Sequence, residues 1–165
     1  MSKHEADTRP DELVALQETL YTSRNPTRRW LHTSRKAWIE TQIAAAGPGR
    51  SALEVGPGSG VYLPALLVAF EMVSAVDIER AHLDHLGPRF PEVRLIEADV
   101  TAPIDSVGTF DFVLCSEVVE HIPDSAAALR GIASLLEPGG TLVLSTPQRY
   151  SPLELASKIA FLPGI

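Results

Sequence analysis

The stretch Ala52-Leu53-Glu54-Val55-Gly56-Pro57-Gly58-Ser59-Gly60 limits what this chain can fold into more than any other. A short apolar run carrying one acid breaks into three glycines at alternate positions. The run reads as a strand, and glycines after it let the backbone turn sharply and let a ligand approach the main chain closely. A helix beginning there presents its free N–H groups. The spacing is G-x-G-x-G with Glu54 two residues ahead, whereas the dinucleotide fingerprint needs its third glycine one position later, where this chain has Val61. A strand-turn-helix unit at a ligand is expected, in a form that departs from the NAD pattern.

From Ser51 onward short apolar runs alternate with helical patterns, the signature of a parallel sheet wrapped by helices. The strands are expected at Ala52–Val55, Met72–Val76, Val93–Glu97, Phe110–Cys115 and Thr141–Ser145. Between them fall helices over Val61–Phe70, with Pro64 tolerated in the first turn, over Ala81–Leu86, closed by Gly87-Pro88, and over Ser125–Leu136, capped by Asp124 or Ser125. Glu137-Pro138-Gly139-Gly140 reads as a tight turn into the fifth strand. Ahead of the sheet, Pro10-Asp11-Glu12 opens a helix carrying Leu13, Leu16 and Leu20. Asn25-Pro26 then caps a second helix that runs to the breaker Gly47-Pro48-Gly49. A last helical piece is expected over Pro152–Phe161. The chain thus divides into a helical segment, 1–50, and a sheet domain, 51–165.

Composition narrows the function. The net charge is −7, without the basic footprint of a protein that holds nucleic acid by its phosphates. The longest apolar run, Val61–Phe70, is interrupted by Pro64 and is half the roughly 20 residues a membrane span needs, so no membrane span is expected. The single Cys115 cannot form an internal disulfide and fits a reducing, cytoplasmic compartment; in its apolar surroundings it reads as a small core residue. The segment from Tyr21 to Arg50 runs against the acidic trend, with Arg24, Arg28, Arg29, Arg35, Lys36 and Arg50 facing only Glu40. A solvated helix face outweighs an anion-binding role there. Trp30, Leu31, Trp38 and Ile43 form no single stripe, so the packing face of this helix is open.

In an open parallel sheet the ligand sits beyond the C-terminal ends of the strands. Polar residues gather at those ends: Glu54 and the glycines on the first strand, Asp77 on the second, Asp99 on the third, Ser116 and Glu117 on the fourth, Thr146 and Gln148 on the fifth. Each acid taken singly is better read as a solvent-exposed residue or a cap of the next helix. Asp77 lies 17 residues past Gly60, close to the interval of about 20 at which an acid accepts hydrogen bonds from ribose hydroxyls. No paired histidine spacing points to a metal, and Ser116 has no triad partners, so hydrolase chemistry is set aside.

The glycine stretch, and the order of strands, helices and strand-end acids after it as far as Pro147, resemble the class I S-adenosylmethionine-dependent methyltransferases. The segment Phe110-Asp111-Phe112-Val113-Leu114-Cys115-Ser116-Glu117-Val118-Val119-Glu120-His121-Ile122-Pro123 is similar to the fourth-strand motif of their small-molecule branch, which includes the quinone-biosynthesis enzymes. The resemblance implies a three-layer α/β sandwich with a Rossmann-like sheet in the order 3-2-1-4-5. It also implies S-adenosyl-L-methionine as cofactor and a small-molecule or lipid-like methyl acceptor. Asp77 and the neighbouring Ile78 would be the ribose side, Asp99 and Val100 the adenine side, and Gly56, Gly58 and Gly60 the backbone under the methionine part. Glu54 would stand near the cofactor's amino group, and Ser116 and Glu117 would complete the binding set. An acidic rim suits this cationic cofactor, whereas it would repel a pyrophosphate. His121 is the candidate for positioning the acceptor or taking its proton, against the plainer reading of a helix-surface histidine with a structural hydrogen bond. The competing readings are an NAD(P)-linked oxidoreductase and a catalytically silent cofactor-binding fragment. The family's sheet carries two further strands beyond the fifth, so an open edge at Thr141–Ser145, self-association through it and impaired turnover are expected.

Overall fold

The computed structural model of the chain describes residue 19, residues 24–104 and residues 107–147. The helices expected over Pro10–Leu20 and Pro152–Phe161, and Gln148, lie outside the described residues, Thr19 apart. The elements follow in the order α1 (Pro26–Ala46), β1 (Gly49–Val55), α2 (Leu63–Ala69), β2 (Phe70–Asp77), α3 (Arg80–Asp84), β3 (Arg94–Glu97), β4 (Phe110–Ser116), a 3-10 turn (Val119–His121), α4 (Ser125–Ser134) and β5 (Leu136–Ser145).

All five strands are parallel, in the order β3-β2-β1-β4-β5. β1 is central because its residues are apolar on both faces: Ala52, Leu53 and Val55 are at most 2 % exposed. Alternation along the strands then builds two cores. On one face Ala52, Ala75, Phe112 and Leu114 pack with Ile39 and Ile43 of α1 and Leu63 and Leu66 of α2. On the other, Leu53, Val55, Val76, Val113 and Cys115 pack with Ala128 and Ile132 of α4 and with Ile104 and Val107. Cys115 is fully buried, and desolvation pushes its thiol up to about 12, which fits a core residue.

Both expected caps form. Asn25 Oδ1 accepts from the Thr27 N–H at 3.0 Å and Asp124 Oδ1 from the Ala127 N–H at 2.8 Å. The packing face of α1 is the i, i+4 pair Ile39 and Ile43, while Trp30 and Trp38 stay exposed. Several boundaries differ from the sequence reading, and three of the differences have a clear physical cause. α2 starts at Leu63, because Gly60 has φ +75° and the chain is still turning at Val61 and Tyr62. Phe70 belongs to β2, where its ring meets Phe112 with centroids 5.2 Å apart. Glu137–Gly140 is not a turn ahead of the fifth strand but a bulge within it: Leu136 pairs with Phe110 and Thr141 with Phe112, so β5 is already in the ladder when the bulge begins.

Candidate functional site

The strand register sets a row of polar groups along the C-terminal end of the sheet. Asp77 pairs with Glu97, Val55 with both Val76 and Cys115, and Ser116 with Ser145. In sheet order the row reads Asp99, Asp77, the glycine turn, Ser116 with Glu117, then Ser145. Backbone bonds lock the neighbours: the Gly56 N–H donates to the Val76 carbonyl at 2.8 Å, Ala98 to Asp77 at 3.0 Å and Glu117 to Ser145 at 2.9 Å.

Glu54 is the most unusual member. It lies on β1 just before the turn, is 3 % exposed, and its Oε2 has no hydrogen-bond partner. Desolvation pushes its carboxyl up to about 8. A buried polar atom left without a partner is costly, and such atoms in folded proteins are nearly always matched. The turn after β1 needs glycine at Gly56, where φ is +64° and a Cβ would sit 2.5 Å from the Val118 side chain. Gly58 and Gly60 share the left-handed conformation, with φ +52° and +75°.

Asp77 Oδ1 accepts from the Glu79 N–H at 3.0 Å and lies 3.3 Å from His82 Nδ1. Ile78 beside it is exposed. Asp99 Oδ1 accepts from the backbone N–H of Thr101 at 2.8 Å and from its hydroxyl at 2.7 Å, and these bonds hold the carboxyl below its usual range, the backbone bond contributing most. Val100 is buried against α4, where its carbonyl would be 1.8 Å from a Cβ on Gly131.

At the β4 end, Glu117 has φ +59°, a conformation rare outside glycine and costly in strain. Its carboxylate forms an ion pair with Arg35 of α1, and Ser145 Oγ bridges Glu117 Oε1 at 3.4 Å and Ser116 Oγ at 2.9 Å. Arg35, read from sequence as part of a solvated basic face, thus reaches the site and ties α1 to the strand ends; Lys36 pairs with Glu40 on α1 itself. Desolvation raises the Glu120 carboxyl, and the Glu117 charge adds to it. His121 stands apart from the row: its side chain is exposed, with Nε2 4.0 Å from Glu120 Oε1.

Sequence reasoning missed the support behind the glycine turn. His85 Nε2 lies 3.1 Å from the Gly58 carbonyl and Arg89 Nη1 donates to the Ser59 carbonyl at 3.1 Å. No motif spacing marks these residues. Two depressions of about 430 and 450 Å³, lined by residues such as Gly47, Pro48, Val68 and Ala69, open at the opposite end of the sheet and share no residue with the row. Among the described residues no group of three or more metal-ligating side chains comes together, and no described helix is long and apolar enough to cross a membrane.

Residues 21–162 match a methyltransferase-domain family. The chain is similar to the ubiquinone biosynthesis O-methyltransferase of Xanthomonas campestris pv. campestris (strain B100), 32 % identical over 149 residues, covering 86 % of this chain and 62 % of the relative. The protein of the same description from Ralstonia nicotianae is 27 % identical over 169 residues, covering 93 % of this chain and 68 % of its own length. Among solved structures, S-adenosylmethionine-bound CalS10, an amino pentose methyltransferase from Micromonospora echinaspora, superposes with a TM-score of 0.66 at 30 % identity, over 81 % of this chain and 56 % of that one. The N-methyltransferase NodS from Bradyrhizobium japonicum WM9, in complex with S-adenosylhomocysteine, gives 0.63 at 19 % identity, over 82 % and 69 %, and speaks for the fold alone. The chain thus spans about 62 % of the length of the first of these curated relatives. With a five-stranded parallel sheet in the order 3-2-1-4-5, a glycine turn closing its central strand and a family match over most of its length, this chain belongs to the methyltransferase-domain family.

Proposed function

We propose that the chain carries the S-adenosyl-L-methionine site of a methyltransferase acting on a small-molecule or lipid-like acceptor. The observation that carries this reading is Glu54: a buried carboxyl with an unpartnered oxygen directly behind a glycine turn is matched by the ammonium of the cofactor's methionine part. When bound, the cofactor supplies a methyl group already activated by its sulfonium. The chain's own residues bind, orient and exclude water. Asp77 accepts from the ribose hydroxyls, Ile78 and Val100 border the nucleoside with Asp99 on the adenine side, and Gly56, Gly58 and Gly60 keep the backbone close to the methionine part. Ser116 and Glu117 close the binding set on the β4 side, with Glu117 held there by Arg35. In-line displacement needs alignment of acceptor and methyl group more than a strong base.

Within this reading, residues 1–50 form the substrate-side segment and 51–165 the cofactor domain, with Ile39 and Ile43 anchoring the first to the second. His121 serves the acceptor from the exposed rim; acceptor turnover in His121→Ala equal to wild type from about pH 6 to about pH 8 would remove that role. The acidic composition and the single cysteine fit a cytoplasmic enzyme without a nucleic-acid partner. Self-association through the outer edge of β5 belongs to the same reading. The deciding experiment is calorimetric titration of the chain with S-adenosylhomocysteine, NAD and NADP in parallel. Binding of the first alone is expected; binding of a nicotinamide dinucleotide in its place overturns the assignment.

A further inference from the structure

α3 and the turn after it, Arg80–Phe90, lie against the back of the site, and three of their polar side chains reach toward it. Leu83 and Leu86 are fully buried and anchor the segment. Its seating is close: a Cβ on Gly60 would meet Leu86 Cδ2 at 2.9 Å and Phe90 Cε2 at 2.8 Å. From that base three polar heads at i, i+3 and i+7 reach three parts of the site. His82 Nδ1 is 3.3 Å from Asp77 Oδ1, His85 Nε2 is 3.1 Å from the Gly58 carbonyl, and Arg89 Nη1 is 3.1 Å from the Ser59 carbonyl.

The chemistry of each contact is one-sided. A carbonyl only accepts, so His85 carries its proton on Nε2, which leaves Nδ1 as a buried acceptor with no partner. A buried acceptor without a partner is disfavoured. The contact to Gly58 therefore outweighs it, and the ring has a task at the glycine turn that a packing residue would not need. Holding the Gly58 and Ser59 carbonyls from behind also fixes the orientation of the peptide planes in the turn. On Asp77, His82 and the Glu79 N–H both occupy Oδ1, so the carboxylate is oriented from one side. The other His82 nitrogen lies 3.5 Å from Glu79 Oε2, which limits rotation of the ring.

We infer that His82, His85 and Arg89 form a clamp of positioning residues, His82 setting the Asp77 carboxylate and His85 with Arg89 setting the peptide planes of the glycine turn. The inference rests on the cofactor reading above for its effect on binding, but the clamp itself is a property of the free protein. The test has two arms. In the free protein, hydrogen exchange at the Gly60 amide, whose N–H donates to the Pro57 carbonyl across the turn at 2.8 Å, should quicken about fivefold in His85→Ala as the turn loosens by one lost hydrogen bond, and return toward wild type in His85→Gln, which keeps a donor near the Nε2 position. In calorimetric titration with S-adenosylhomocysteine, His82→Ala should bind about fivefold more weakly and His82→Asn, with a donor near the Nδ1 position, should recover most of the loss. In the Asp77→Ala background the further change His82→Ala should cost nothing, because its partner is gone.

Unchanged exchange in His85→Ala, or equal losses in the alanine and amide variants of either histidine, would overturn the clamp. If Asp77→Ala weakens binding while His82→Ala does not, the cofactor reading stands and the clamp fails. If S-adenosylhomocysteine does not bind the wild type while the exchange arm behaves as expected, the cofactor reading fails and the clamp on the turn stands.

Discussion

Glu54 is a buried carboxyl with an unmatched oxygen in the free protein, and under the function proposed above it would meet an ammonium in the complex. Its carboxyl is raised by burial from 4.5 to about 8. The unfolded chain releases this proton near 4.5 and the folded chain keeps it to about 8, so between those values the unfolded state binds fewer protons. The stability Glu54 contributes is complete below 4.5 and is lost as pH rises to about 8, with a slope of up to about 1.4 kcal/mol per pH unit. Glu54→Gln should remove that slope and unfold at higher urea than wild type near pH 8. Equal midpoints at all pH values would show that the carboxyl ionises freely. An arriving ammonium favours the carboxylate, so binding of S-adenosylhomocysteine should release a proton in the same window. Titrations in two buffers of different ionisation heat read that directly. At the other end of the ligand, Asp77→Ala should weaken binding about tenfold to a hundredfold, the loss of a charge-assisted acceptor. Affinity equal to wild type would take the ribose from Asp77.

At the scale of elements, two close approaches decide how the layers sit. The Gly131 backbone on α4 lies so near the Val100 carbonyl that a Cβ would stand 1.8 Å from its oxygen, far inside contact distance. Gly131→Ala must push α4 away from the loop after β3, and a loss of about 1–3 kcal/mol or more is expected for such overpacking. Gly87→Ala is the matched control, since its Cβ would meet only ordinary contacts, 3.7 Å from Leu95 and 3.9 Å from the Asp84 carbonyl. Urea unfolding of the pair should separate them clearly; similar midpoints would mean that α4 shifts at little cost. α1 is placed by different means, apolar anchoring through Ile39 and Ile43 and the ion pair of Arg35 with Glu117.

For the molecule as a whole, the sheet is covered on both faces, and among the described residues its outer strands, β3 and β5, pair on one side only. Among the described residues β5 pairs only with β4, and its Leu144 is 37 % exposed. Thr141–Ser145 carries no lysine, proline or charge to discourage pairing with another strand. Sedimentation velocity on this chain should therefore show concentration-dependent dimers, and Leu144→Lys should shift them to monomer. A monomer at every concentration would show that the edge is covered.

The sheet, its order of elements and the row of polar groups at its C-terminal end could be read from sequence because their signals are local. Alternation, the glycine turn and the caps at Asn25 and Asp124 involve residues within a few positions of one another. Asp77, Asp99, Ser116 and Glu117 all stand at strand ends, as the sequence implied. What tertiary structure alone decided depends on groups distant in the chain. Arg35 was indistinguishable from its basic neighbours until α1 lay across the end of β4. The bulge at Glu137–Gly140 took its form from pairing with Phe110 and Phe112, since a proline-glycine run does not state which residue before it joins the ladder. The contacts of His85 and Arg89 cross 27 and 30 residues. Glu54 was visible as an acid, but its missing partner and its retained proton exist only where the folded sheet and the layers packed on it exclude water around the carboxyl.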